Sequence, residues 1–235
     1  MAIELTERPW LLLPGTLCTG AMFGGFLDAL GVAAALRHPV AMDRPTVEAY
    51  LPELQVACRP GAIVCGFSLG ALVAAHLADR LPAGRFILFG LNPHADDPAR
   101  RDGRLQLARE VGRNGGAAAL ATRLPDLCEP DPDKARRMIL AMADDTAEAM
   151  PAQTELSLTR PGALPALAGA RAPVDLFTGA RDTVTPLALA QEAAAVAPQG
   201  RVLPLAGLGH YALIEDPAAC AAAVTRHLVK GCDRT

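Results

Sequence analysis

Ser68, Asp182 and His210 are the residues whose types and order along the chain suit nucleophilic chemistry. Ser68, one of only two serines, sits in Gly66-Phe67-Ser68-Leu69-Gly70. The apolar run Ala62-Ile63-Val64-Cys65 precedes it, and an Ala-rich run over 71–78 follows. G-x-S-x-G between a strand and a helix makes a tight, strained turn that presents the serine hydroxyl at the carboxyl edge of a sheet. Both glycines are needed, because a side chain at either would collide with the adjoining helix and strand. The plainer alternative is a Gly-rich turn whose serine only caps the helix.

A serine is a poor nucleophile at neutral pH, so it needs a base, and the base needs an orienting group. Asp182 lies in Gly179-Ala180-Arg181-Asp182-Thr183-Val184-Thr185-Pro186, just past an expected strand at 173–177. Sites gather in loops beyond strand carboxyl ends; a turn or capping aspartate is the structural alternative. Asp175, inside that strand, is the weaker candidate. His210 lies in Ala206-Gly207-Leu208-Gly209-His210-Tyr211, where glycines let the loop turn an imidazole back toward Ser68. His38, His76 and His227 fall within regular elements and read as structural, while His94 could face the pocket without a base role. An oxyanion formed at Ser68 needs backbone donors. Leu69 supplies one N–H, and Pro14-Gly15-Thr16-Leu17 supplies another, from Thr16 first and Leu17 second.

The elements that must position these residues alternate between strand and helix. Strands are expected at 10–13, 34–40, 62–65, 85–90, 173–177 and 201–205. Helices are expected at 21–30, at 47–59 with Thr46 as N-cap, from Gly70 to about Arg80, at 186–196 and at 217–229. Between 92 and 160 charge is plentiful and strand character absent, with helices near 99–111, 116–123, 133–143 and 146–159. This arrangement predicts an α/β fold with a mostly parallel sheet covered by helices on both faces. The core is 1–91 and 161–235, and 92–160 is a helical lid inserted over the sheet edge.

Composition excludes other classes. The 235 residues are 51% hydrophobic and 20% charged, with a net charge of −3, which speaks for a globular chain and against nucleic acid or anionic membranes as partners. No run of 18 apolar residues suggests a spanning helix, and residues 1–8 lack a signal-peptide pattern. The six cysteines form no C-x-x-C pair or metal cluster and read as buried hydrophobes in a reducing cytoplasm.

Together the motifs resemble the α/β-hydrolase superfamily, and within it a short bacterial branch with an "LLLPGxLCD" start, related to enol-lactonases and small carboxylesterases. The matching segments are Leu11-Leu12-Leu13-Pro14-Gly15-Thr16-Leu17-Cys18, the elbow at Ser68, and Arg160-Pro161-Gly162 followed by Leu164. They continue with Gly179 to Pro186 and with Gly209-His210-Tyr211 followed by Glu215-Asp216-Pro217. The chain departs from the branch at Thr19 and Gly162, where Asp is common, and those positions weaken any transfer of substrate identity. The resemblance implies Ser68 as nucleophile, His210 as base, Asp182 as orienting acid and Thr16 and Leu69 as oxyanion donors. It also implies a sheet of about six strands without the N-terminal hairpin of longer relatives.

The expected activity is serine hydrolysis of a small or medium carboxylic ester, lactone or thioester through an acyl-enzyme, with no cofactor and no metal. Lyase, synthase or C–C hydrolase chemistry could use the same base, and a non-catalytic binder on a hydrolase scaffold is the third class. Leu17, Phe67, Leu91 and Asn92 are candidates to line the pocket, with Met22, Phe23, Met138, Met142 and Met150 as further apolar candidates. Arg100, Arg101 and Arg104 are assigned to a solvated face rather than an anion clamp, so an uncharged acyl group is expected.

Overall fold

The computed structural model describes residues 5–128 and 130–230; the side chains of Val229 and Lys230, and Cys232 with its neighbours, lie outside the described part. Six strands form one sheet in the order β2-β1-β3-β4-β5-β6, every neighbouring pair parallel. They are β1 (Trp10–Leu13), β2 (Arg37–Pro39), β3 (Ile63–Phe67), β4 (Arg85–Phe89), β5 (Val174–Gly179) and β6 (Gly200–Leu205). The inner strands β1, β3 and, from Phe86, β4 read as apolar runs because both faces of a parallel sheet are covered, while β5 carries the buried Asp175.

Side-chain alternation divides the core in two. Trp10, Leu12, Ile63, Cys65, Ile87 and Phe89 pack on one face, while Leu11, Leu13, Val64, Phe86, Leu88 and Leu176 pack on the other. The first face is covered by α1 (Gly24–Leu30) and α11 (Pro217–Lys230), and the second by α2 (Leu51–Ala57), α3 (Leu69–His76), α8 (Leu164–Ala168) and α9 (Leu187–Val196). Between β4 and β5 come α4 (Arg101–Asn114), α5 (Gly116–Ala121), α6 (Pro132–Asp145) and α7 (Met150–Thr159), with no strand among the described residues. The short α10 (Ala212–Glu215) precedes α11.

Several elements differ from expectation. The second strand keeps only three residues, because Ala34–Leu36 forms an exposed 3-10 turn; Pro39 is tolerated at the sheet edge, and the Val40 N–H still donates to the Leu12 carbonyl at 2.9 Å. The helix expected over 47–59 splits into a 3-10 turn, Glu48–Tyr50, and α2, whose second residue is Pro52. Thr46 Oγ1 still accepts the Ala49 N–H at 3.3 Å, as an N-cap would. α3 ends at His76, short of Arg80, and α8 and α10 are additional.

Candidate active site

Ser68 follows β3 directly and stands at the head of α3. Its backbone is held at φ 49°, ψ −111°, and its side chain makes no capping hydrogen bond to the helix. The hydroxyl is therefore free of the capping role, while the backbone is in a region that non-glycine residues adopt only under constraint. The constraint is the close approach of α3. A Cβ on Gly66 would lie 2.6 Å from Ala71 Cα, and one on Gly70 only 2.0 Å from the Leu13 carbonyl oxygen. The Ser68 N–H donates to the Phe89 carbonyl at 2.9 Å, tying the turn to the end of β4.

His210 and Asp182, on the loops after β6 and β5, meet as a buried pair. His210 Nδ1 and Asp182 Oδ2 are 2.8 Å apart, and their side chains are 6% and 1% exposed. Asp182 also accepts from Val184 N at 2.8 Å, Thr185 N at 2.9 Å and Thr185 Oγ1 at 2.7 Å. Burial pushes its carboxyl up, but the His210 and Thr185 hydrogen bonds and the imidazole charge outweigh this and hold it below the usual carboxylate range. The His210 ring packs 4.9 Å from the ring of Phe67, the residue before Ser68. Gly90, at the end of β4, lets the imidazole come close, since a Cβ there would sit 3.1 Å from His210 Cε1. The Gly209 N–H donates to Glu215 Oε2 at 2.6 Å, which fixes the loop beside His210.

Ser68, Thr16, Leu69 and Asn92 share a small cleft of about 110 Å³ with Thr185, Ser157, Arg100, Arg104 and Arg160. Thr16 and Leu69 thus lie beside the serine, whereas Leu17 does not line this cleft. Its side chain is fully buried, its φ is 54°, and its N–H donates to Gln153 Oε1 at 2.9 Å. Phe67 and Leu91 are likewise core residues, at 2% and 1% exposure, packed on opposite faces of the sheet. Met22, Phe23, Met142 and Met150 are buried in the core as well. His94 turns outward to pair with Glu192 at 2.8 Å. Asp175 is fully buried but pairs with Arg85, Arg201 and His227, away from the cleft.

The cleft's charge departs from the expectation of an uncharged pocket. Arg100 and Arg104 face it, and Arg160 joins them from the end of α7. Sequence reasoning does not single out Arg160 or Gln153 for the site. The Arg160-Pro161 motif marked the former only as part of a pattern, and nothing local signals that Gln153 bonds a residue 136 positions away.

The profile of the alpha/beta hydrolase family matches residues 10–223, and the chain belongs to that family. The chain is 30% identical, over 75% of its length and 78% of the relative's, to a pimeloyl-[acyl-carrier protein] methyl ester esterase of Aromatoleum aromaticum. A thermophilic esterase from Thermogutta terrifontis has the same fold, with a TM-score of 0.80 at 21% identity over 96% of this chain and 90% of that one. So does the enol-lactonase from Burkholderia xenovorans LB400, with a TM-score of 0.73 at 23% identity over 97% and 92%. Among the described residues no helix is long and apolar enough to cross a membrane.

Proposed function

We propose that this chain is a serine hydrolase that cleaves a small or medium carboxylic ester, lactone or thioester through an acyl-enzyme on Ser68. The observation that carries the reading is the buried His210–Asp182 pair, its imidazole packed 4.9 Å from the ring of Phe67, the residue before a serine whose hydroxyl caps nothing. Asp182 accepts a hydrogen bond from Nδ1–H, which holds the proton on Nδ1 and leaves Nε2 to take the hydroxyl proton. Ser68 Oγ then bonds to the carbonyl carbon, and the carbonyl electron pair moves to oxygen. The N–H groups of Thr16 and Leu69 stabilise that oxyanion. Collapse expels the alkoxide, lactone oxygen or thiolate, which takes the proton from His210. Water, deprotonated by the same base, releases the acid and restores Ser68.

The esterase and enol-lactonase likenesses support the ester class. Segment 92–160 serves as the lid, since Asn92, Arg100, Arg104, Ser157 and Arg160 reach the cleft that Ser68 lines. The five described cysteines are free and buried, which supports a reducing, cytoplasmic setting. A fluorophosphonate probe should label Ser68 and no other residue. Unchanged p-nitrophenyl acetate turnover in Ser68→Ala would sink the mechanism.

A further inference from the structure

Three guanidinium groups, those of Arg100, Arg104 and Arg160, line the cleft that holds Ser68, and no Asp or Glu lines it. Asp96 is a carboxylate that contacts two of them, Arg104 and Arg160. It accepts from Arg104 Nε at 2.8 Å and Arg104 Nη2 at 2.5 Å, and lies 3.2 Å from Arg160 Nη2. Asp96 and, behind Val184 and Thr185, Asp182 set two negative charges against three positive ones and leave a surplus of one, in a concave site where field lines are focused.

The surplus charge is also arranged for use. Arg160, with a side chain only 5% exposed, is fixed by donating to the Ser157 carbonyl at 3.1 Å and the His94 carbonyl at 3.2 Å. Burial, and then the charge of Arg104, push its guanidinium down to about 10. Arg104 Nη1 and the whole Arg100 guanidinium have no protein partner among the described residues. Free N–H donors in planar forks match carboxylate geometry.

We infer that the cleft selects an ester that carries a free carboxylate a few bonds from the scissile carbonyl, held by Arg100, Arg104 and Arg160 while Ser68 attacks. The inference rests on the ester-hydrolysis reading above and adds the substrate's charge and size. A cleft of about 110 Å³ that contains both serine and arginines fits a short half-ester rather than a long acyl chain.

Monomethyl succinate and methyl butyrate differ in a carboxylate against a methyl group at one end, so the pair isolates the charge. The wild-type kcat/KM should favour monomethyl succinate by about tenfold or more. Arg100→Gln, at an exposed position that does not threaten folding, should cut that ratio several-fold. Arg101→Gln, one residue on and outside the cleft, should leave the ratio unchanged. Equal or better turnover of methyl butyrate, or an undiminished ratio in Arg100→Gln, overturns the inference. Binding keeps this test separate from the hydrolysis mechanism. Succinate should bind Ser68→Ala in calorimetry and bind several-fold more weakly when Arg100→Gln is added. No binding of succinate, or tighter binding of inorganic phosphate, overturns the carboxylate assignment even if ester hydrolysis stands.

Discussion

Gln153 on α7 accepts the Leu17 N–H through Oε1 at 2.9 Å and donates through Nε2 to the Met42 carbonyl at 2.9 Å. One side chain, only 1% exposed, thus joins the helical segment to the loops after β1 and β2. Leu17 is held at φ 54°, a conformation that persists only where surrounding contacts enforce it. The bond also engages the Leu17 donor. Thr16 lines the cleft, and its N–H bonds to no protein group among the described residues. Between the two donors considered for the oxyanion, this favours Thr16.

Gln153→Leu keeps the side-chain size but leaves the buried Leu17 N–H and Met42 carbonyl without a partner. The expected stability loss is about 1–3 kcal/mol for each orphaned group, less whatever water recovers. A displaced Thr16 N–H should also lower kcat by about tenfold or more with little change in KM, because the donor acts on the transition state. Urea unfolding and steady-state kinetics on one neutral ester read both effects. A stability loss without any fall in kcat would limit Gln153 to a structural role.

Asp182→Asn should lower kcat by about 10⁴-fold while leaving the fold intact. The carboxylate accepts three bonds from residues 184–185 besides the one to His210, so its position is set independently of the imidazole. An amide in that place presents an N–H₂ to Nδ1 and favours the tautomer with its proton on Nε2, where it cannot accept from Ser68. Far-UV circular dichroism checks the fold, and turnover at pH 7 checks the chemistry. A decrease of less than about tenfold would remove Asp182 from the catalytic set.

The sequence is legible where function is local. Ser68 follows its strand directly, Asp182 and His210 lie on short loops just past theirs, and glycines at 66, 70, 179 and 209 mark the turns, so short motifs report their places. The repeated strand–helix alternation likewise exposes the parallel sheet. What lies across the cleft is a different matter. The polar spacing around Arg100 and Arg104 shows that they avoid the helix's own core, not what they face instead. Their meeting with Arg160 depends on how the chain between β4 and β5 folds back over the sheet edge. That packing is set by contacts such as Ile139 and Met142 with the core, far apart in sequence. Gln153 escapes notice for the same reason.

Gly70→Ala should fail to accumulate as soluble protein, or unfold at much lower denaturant than the wild type. The added Cβ would lie 2.0 Å from the Leu13 oxygen and 2.5 Å from the Pro14 oxygen, both backbone atoms that cannot swing aside. Relief requires moving α3 away from β1, which loosens the core beneath Ala71 and Ala74 and shifts the loop that carries Thr16. Gly112→Ala is the matched control, since nothing lies within 4 Å of its Cβ on α4. That variant should be neutral or stabilised by up to about 1 kcal/mol through helix propensity. Soluble yield and urea midpoints of the pair decide the matter. Equal stability of the two variants would mean that the elbow tolerates separation of helix and strand.

Asp175→Asn should cost stability in a strongly pH-dependent way. Asp175 is fully buried and shares its charge among Arg85, Arg201 and His227. Burial raises its carboxyl pKa, but the His227 hydrogen bond and the two arginine charges outweigh it, so the net shift is downward. A carboxylate with a lowered folded-state pKa contributes stability that is present above its unfolded value, near 3.9, and is lost as pH falls through the folded value. At pH 7 the amide leaves the arginines without their counter-charge, at a cost of about 3–5 kcal/mol where the remaining charge is buried. That cost falls mainly on Arg85, whose side chain is 10% exposed; Arg201, at 31%, keeps more of its hydration. The gap between the two proteins should therefore begin to narrow once pH falls below the unfolded value and close only as pH passes through the lower folded one. Urea unfolding of both at pH 7 and pH 3 should accordingly give a smaller gap at the second pH than at the first. An equal gap at both would show that Asp175 acts through hydrogen bonds alone and that its charge contributes nothing to the fold.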